Sequence, residues 1–239
     1  QGRKKRINSG KKISKEFFYT YFYAVKNYTN VEIVEMENFE PSISQKFLRK
    51  LDSFINKLSK LPIYTYAIFK RKNLKIFKQS DFVILSNDRV AFSSLPMIWL
   101  TKISNPNVSF SFFVMGLFSN FPKYQIQSLF RNILIKMMLE RVDNIFFLGK
   151  KEYIIASENF IEYKQKFIFL PFSIDVNFWS NPSNKIETEK KDILFIGNDG
   201  NRDYKFVVKL ATDLPEYNFL FISEKINKND NLPKNVTLI

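Results

Sequence analysis

Residues 192–205, DILFIGNDGNRDYK, run from a wholly apolar strand core into a turn of glycines, asparagines and aspartates with one arginine and one lysine. Residues 193–196 are apolar on both faces, the pattern of a central strand in a parallel sheet. Gly197 and Gly200 permit positive φ and a close backbone approach to a ligand, and Asp203 can cap a helix running through Phe206, Val207, Leu210 and Ala211. A strand that ends at a helix N-terminus aims amides and the positive end of the helix dipole at the turn. Arg202 and Lys205 add mobile positive charge, which suits a pyrophosphate. Gly197, Asn198, Arg202 and Lys205 are therefore the candidate diphosphate ligands. An ordinary strand-to-helix turn favours Gly, Asn and Asp for backbone reasons alone, so that reading stands beside the first.

Outward from this stretch, composition limits the chemistry. With 239 residues, 45% hydrophobic and 17% aromatic, the chain can bury a sizeable core and has room for one large or two small domains. It has no cysteine and no histidine. Disulfides and thiolate metal sites are thereby excluded, and any acid or base must be Asp, Glu, Lys or Tyr. No metal motif is visible, and no cofactor is expected. No apolar run approaches the roughly 20 residues needed to cross a bilayer, and no signal peptide opens the sequence, so the expectation is a cytoplasmic protein that at most touches a membrane. The net charge of +14 invites a nucleic-acid reading. Lysine dominates the 37 basic residues and is spread along the chain, whereas phosphate-reading surfaces cluster arginine for bidentate contacts, so nucleic acid is not an expected partner. The charge still draws the chain toward anionic headgroups or polyanionic substrates, in a salt-dependent way.

Apolar strands alternate with amphipathic helices, the signature of an α/β protein on parallel sheets. Residues 31–36 alternate as an edge strand. Ser42 opens a helix with Ile43, Phe47, Leu48, Leu51, Ile55, Leu58 and Leu61 on one face. Residues 81–87, 108–115, 144–149 and 166–172 read as strands. Residues 124–142 read as a helix with Ile126, Phe130, Ile133, Leu134, Met137 and Met138 inward. Residues 180–191 (SNPSNKIETEKK) are polar and aperiodic and contain Pro182, the character of a linker. The expected domains are 1–179, then the linker 180–191, then 192–239, the last holding a strand, a helix, a strand near 217–223 and another starting at Val236. That is too little for a complete sheet, and the sequence opens on Gln1 in a basic loop, so a fragment clipped at both ends is expected.

PFSIDVNFW (residues 171–179) followed by ILFIGNDGNRDYK resembles the interdomain segment and second-domain opening of glycosyltransferase family 4, enzymes of the GT-B fold with two Rossmann-like domains. Their P-x-G-[IV]-D-x-x-x-F segment is matched by Pro171, Ile174 and Asp175, with Ser173 in place of the glycine and Phe178 one position before the family's phenylalanine. The resemblance implies an acceptor-side first domain and a nucleotide-sugar-binding second one. Arg202 and Lys205 match the basic pair on the donor diphosphate, and Gly197 matches the residue that lets the donor come close. The family's acidic pair lies farther into the second domain, beyond residue 239. A retaining, metal-independent transfer from a nucleotide sugar to a cell-envelope glycan or lipid-linked acceptor is implied, with the fragment itself inactive.

At the other end, residues 2–12 (GRKKRINSGKK) precede a helix expected near Ser14 and a dense aromatic run from Phe17 to Tyr23. First loops of GT-B enzymes commonly line the acceptor side, so Gly2, Arg3 and Glu16 are acceptor-side candidates; a solvated or membrane-facing loop is the alternative. Glu16, Asp88 and Asp175 sit near element ends, but the sequence assigns none of them a catalytic role. Two other functions stay open: a non-catalytic basic α/β module that binds polyanions or membranes, and a GT-B sugar-nucleotide epimerase.

Overall fold

The computed structural model describes residues 2–10, 13–36, 42–118, 122–180, 192–198, 202–226 and 231–239. The chain divides into two compact units, Gln1–Ser180 and Asn181–Ile239. Each is an α/β assembly on its own parallel sheet.

In the first unit, α1 (Arg3–Asn8) and α2 (Tyr21–Asn27) precede three further helices, α3 (Ile43–Ser59), α4 (Thr65–Ile68) and α5 (Arg71–Gln79). The sheet then alternates with its crossovers: β1 (Phe82–Leu85), α6 (Asp88–Ser104), β2 (Ser109–Val114), α7 (Gln125–Arg141), β3 (Asn144–Phe147), α8 (Lys150–Asn159), β4 (Phe167–Phe169) and α9 (Val176–Trp179). The strands are parallel and stand in sequence order, β1-β2-β3-β4. Crossovers of one hand between sequential neighbours put their helices on one face of the sheet. The burial pattern agrees: Val83, Leu85, Phe110, Phe112, Val114, Ile145, Phe147 and Phe167 share that face and join the core.

Local sequence accounts for the helix starts. Ser42 and Gln45 form a capping box on α3, with Gln45 Oε1 accepting from the Ser42 amide at 2.9 Å. Asn87 accepts from the Val90 amide at 2.9 Å and starts α6. Helix α6 is buried along Ala91, Phe92, Leu95, Met97 and Ile98 because it packs against β1 and β2 of the sheet and against α4, α5 and α7. On the opposite face of the sheet Phe113 stacks on Phe146 at 5.1 Å, and Tyr19 covers Phe113 at 4.8 Å.

Several sequence expectations are corrected here. Residues 31–36 form no ladder; Val34 and Met36 pack on the core from an extended segment. The basic segment at residues 2–12 is not a loop throughout, since its described part holds α1, whose first amide, Arg3 N–H, donates to Glu35 Oε1 at 2.8 Å. On α7, Ile126 and Ile133 are exposed, and the inward side chains include Arg131, Ile135, Met138 and Leu139.

The second unit carries β5 (Asp192–Ile196), α10 (Tyr204–Asp213), β6 (Asn218–Ile222) and β7 (Val236–Leu238), parallel in the order β5-β6-β7. Its core gathers Ala211, Phe219, Phe221 and Ile226. The expectation of a strand buried on both faces at 193–196 does not hold. Among the described residues β5 pairs only with β6, and Leu194 and Ile196, which share one face, are 56% and 55% exposed. Residues 181–191 lie outside the described residues.

Candidate functional site

The turn after β5 is stitched to the turn after β6. Gly197 is buried; its amide donates to Ile222 O at 3.2 Å, and its carbonyl accepts from Ser223 Oγ at 2.7 Å and from the Tyr204 hydroxyl at 3.3 Å. Asn198 Oδ1 accepts from the Glu224 amide at 2.6 Å. The Asn198 carboxamide oxygen is thus part of the scaffold, and only its NH2 group can serve an anion.

Gly197 is not in the positive-φ region, contrary to the sequence expectation. The reason for glycine is steric: a methyl group built on Gly197 would collide with Cδ and Nε of Arg202, whose side chain lies across it. Gly200 lies outside the described residues. Asp203 caps α10 as expected, its carboxylate accepting from the Phe206 amide at 2.9 Å. That bond takes one first-turn amide from any anion, so positive charge here rests chiefly on Arg202 and Lys205, both exposed. The structure brings Gly197, Asn198, Arg202 and Lys205 to one end of β5 and the first turn of α10.

In the first unit, of the acceptor-side candidates it is Glu16 that lies in a cavity at the carboxyl ends of the strands. A cavity of about 320 Å³ is lined by Glu16, Tyr19, Phe113, Leu148, Ser173 and Asp175 among others. Arg3 lies over the Tyr19 ring at 5.1 Å, and Gly2 caps α1 with φ +78°. Glu16 is a tether: its carboxylate accepts from Trp179 Nε1 at 2.8 Å and from the Asp175 amide at 3.3 Å. Partial desolvation pushes its pKa up, but these bonds outweigh it and hold it below its ordinary value. Asp175 caps α9, accepting from the Phe178 amide at 3.2 Å. Glu16 therefore locks the 171–179 segment to the N-terminal region.

Asp88 and Arg131 form a second constellation, which the sequence reading did not assemble. The loop leaving β2 is gripped from three helices. Asp88 on α6 accepts from the Met115 amide at 3.1 Å. Glu152 on α8 accepts from the amides of Gly116 and Phe118 at 3.1 and 2.9 Å. Arg131 on α7 donates to the carbonyls of Leu117, Ser59 and Lys60, the last at 3.1 Å. Asp88 is 6% exposed, and burial, reinforced by the charge of Glu152, raises its pKa to about 7 against the opposing Met115 amide and Arg131. Burial lowers the Arg131 pKa, opposed by Asp88. A buried arginine on an apolar helix has no local sequence signal.

Among the described residues, no cluster of His, Cys, Asp and Glu forms a metal site, and no helix is long and apolar enough to cross a membrane. Neither a protein-family model nor a curated protein matches the chain.

Proposed function

We propose that the chain is part of a GT-B glycosyltransferase resembling family 4, a Rossmann-like acceptor-side unit followed by the opening of a nucleotide-sugar-binding unit. The observation that carries this reading is the turn after β5, where Arg202 lies across Gly197 and Lys205 stands on the first turn of an aspartate-capped helix. Sugar transfer leaves negative charge on the departing diphosphate, and cations positioned at the carboxyl end of a parallel strand stabilise it. Retaining, metal-independent transfer to a cell-envelope glycan or lipid-linked acceptor, at the inner face of the membrane, follows from the family resemblance.

Membrane contact has separate support. Ile43, Phe47, Leu51 and Phe54 on α3, and Ile126, Leu129 and Ile133 on α7, are exposed on two helices that pack together. Lys46, Arg49, Lys50 and Lys57 flank the α3 stripe, the pattern of an interfacial helix beside anionic headgroups. The same surface would serve a non-catalytic membrane module, the second reading. Incubation of the full-length protein with nucleotide sugars and a lipid extract separates the readings. Release of nucleoside diphosphate with a glycosylated lipid supports transfer. An epimerised nucleotide sugar, or vesicle binding without any turnover, rejects it.

A further inference from the structure

In the second unit, β5, α10 and β6 form a parallel strand–helix–strand unit, and the turns at the carboxyl ends of its two strands are bonded to each other. Ser223 is 6% exposed; its Oγ donates to Gly197 O at 2.7 Å and accepts from the Lys225 amide at 3.1 Å. The Glu224 amide donates to Asn198 Oδ1 at 2.6 Å. Glu224 is thus fixed through its backbone beside the turn that leads to Arg202, while its side chain is exposed. Among the described residues its carboxylate joins no ion pair. A carboxylate repels phosphate oxygens, so its favourable use beside a diphosphate is to accept from hydroxyl groups that flank the phosphates. Asp203, the other described acid at these strand ends, is occupied in capping α10.

We infer that the nucleoside of the bound ligand lies over the carboxyl end of β6 and that Glu224 is its specificity residue, accepting from the ribose 2′-hydroxyl, so that the site takes ribonucleotides in preference to deoxyribonucleotides. Strand–helix–strand nucleotide sites commonly divide the work in this way, with phosphates at the first turn and ribose hydroxyls on an acid at the end of the second strand. The order of charge agrees: cations follow the β5 turn and an acid stands at the β6 turn, which matches a ligand anionic at one end and hydroxylated at the other. Ser223, buried between the two turns, fixes their spacing, so the phosphate and ribose subsites are pre-organised. The inference rests on the turn after β5 being a diphosphate site, and adds the direction in which the ligand lies.

The test is calorimetric titration of the full-length protein with ADP, GDP, UDP, their 2′-deoxy counterparts and inorganic pyrophosphate. The parent is expected to bind its best ribonucleotide at least about tenfold tighter than the 2′-deoxy counterpart, the scale of one hydrogen bond to a charged group. Glu224→Ala is expected to erase that preference while leaving pyrophosphate affinity unchanged or tighter, since a negative charge is removed. Glu224→Gln, which keeps an acceptor oxygen, is expected to retain part of the preference. Both variants keep the bond to Asn198, which is made by the main chain. The inference is overturned, with the diphosphate reading left standing, if pyrophosphate binds in an Arg202-dependent way but the parent does not distinguish ribose from deoxyribose, or if Glu224→Ala keeps the preference. Loss of pyrophosphate affinity in Glu224→Ala would also overturn it, showing a residue that only supports the turn. If neither pyrophosphate nor any nucleotide binds, both readings fall.

Discussion

A carboxyl group at 6% exposure, with one oxygen on a backbone amide and the other without a hydrogen-bond partner, is held against its own solvation. Asp88 therefore links proton binding to stability. Its pKa of about 7 lies above the ordinary 3.8, so the folded chain keeps the proton longer than the unfolded chain. This contribution is fully present below the unfolded value and is lost as pH rises toward 7. Asp88→Asn cannot ionise, so it is expected to gain stability relative to the parent between pH 4 and pH 8, by on the order of 3 kcal/mol, in denaturant titrations at the two pH values. An unchanged difference would mean that Asp88 ionises normally. Gly197 makes a second residue-scale prediction. A methyl group there displaces the exposed Arg202 side chain more readily than any backbone, so Gly197→Ala is expected to cost under about 1 kcal/mol in stability. It is nevertheless expected to weaken nucleoside diphosphate binding as much as Arg202→Ala does, and the double variant to be no worse than either single one. Additive losses in calorimetric titration would show that Gly197 does not act through Arg202.

The elements themselves were legible because periodicity and capping are local: Ser42 with Gln45 starts α3, Asn87 starts α6, and apolar runs bounded by polar turns mark β1 to β4. Which way an element faces was less legible. Helix α7 carries apolar residues around more than half its circumference, so spacing could not tell that Ile126 and Ile133 face outward while Arg131 faces in. Residues 31–36 alternate like a strand, yet strand formation needs a partner that no local pattern supplies. The constellation of Asp88, Arg131 and Glu152 was hidden for the same reason, since three separate helices bring it together. The exposed stripe of α3 has a testable consequence. Phe47 is 69% exposed and Phe54 63%, so Phe47→Ser with Phe54→Ser is expected to leave thermal stability nearly unchanged. The pair is expected to reduce sedimentation with anionic vesicles by about tenfold, the scale of two buried aromatic side chains less their interfacial losses. Unchanged sedimentation would remove α3 from the membrane contact; insensitivity to salt in the parent would remove the lysines as well.

At the scale of the whole molecule, the two units differ in how much they bury. The first buries a large apolar cluster between its four-stranded sheet and its helices, while the second relies on Ala211, Phe219, Phe221 and Ile226 with partly buried neighbours. A smaller core leaves less free energy against local opening, so amides of β6 are expected to exchange with solvent faster than those of β2, although each is a central strand of its sheet. Equal protection would mean that the second unit draws stability from beyond its own core. The +14 charge adds long-range attraction for anions without choosing among them, and choice falls to short-range geometry at the strand ends. The turn after β5 was legible as the candidate site from its residue types alone. What the sequence concealed was that Asn198 braces the neighbouring loop and that Gly197 makes room for Arg202 rather than for a left-handed turn. The most direct test of the glycosyltransferase reading is calorimetric titration of the full-length protein, its Arg202→Ala variant and its Lys205→Ala variant with nucleoside diphosphates. Loss of a charge-assisted contact of roughly 1.5 to 3 kcal/mol predicts about tenfold to hundredfold weaker binding in each variant. Equal affinity of both variants and the parent for every nucleoside diphosphate would contradict it.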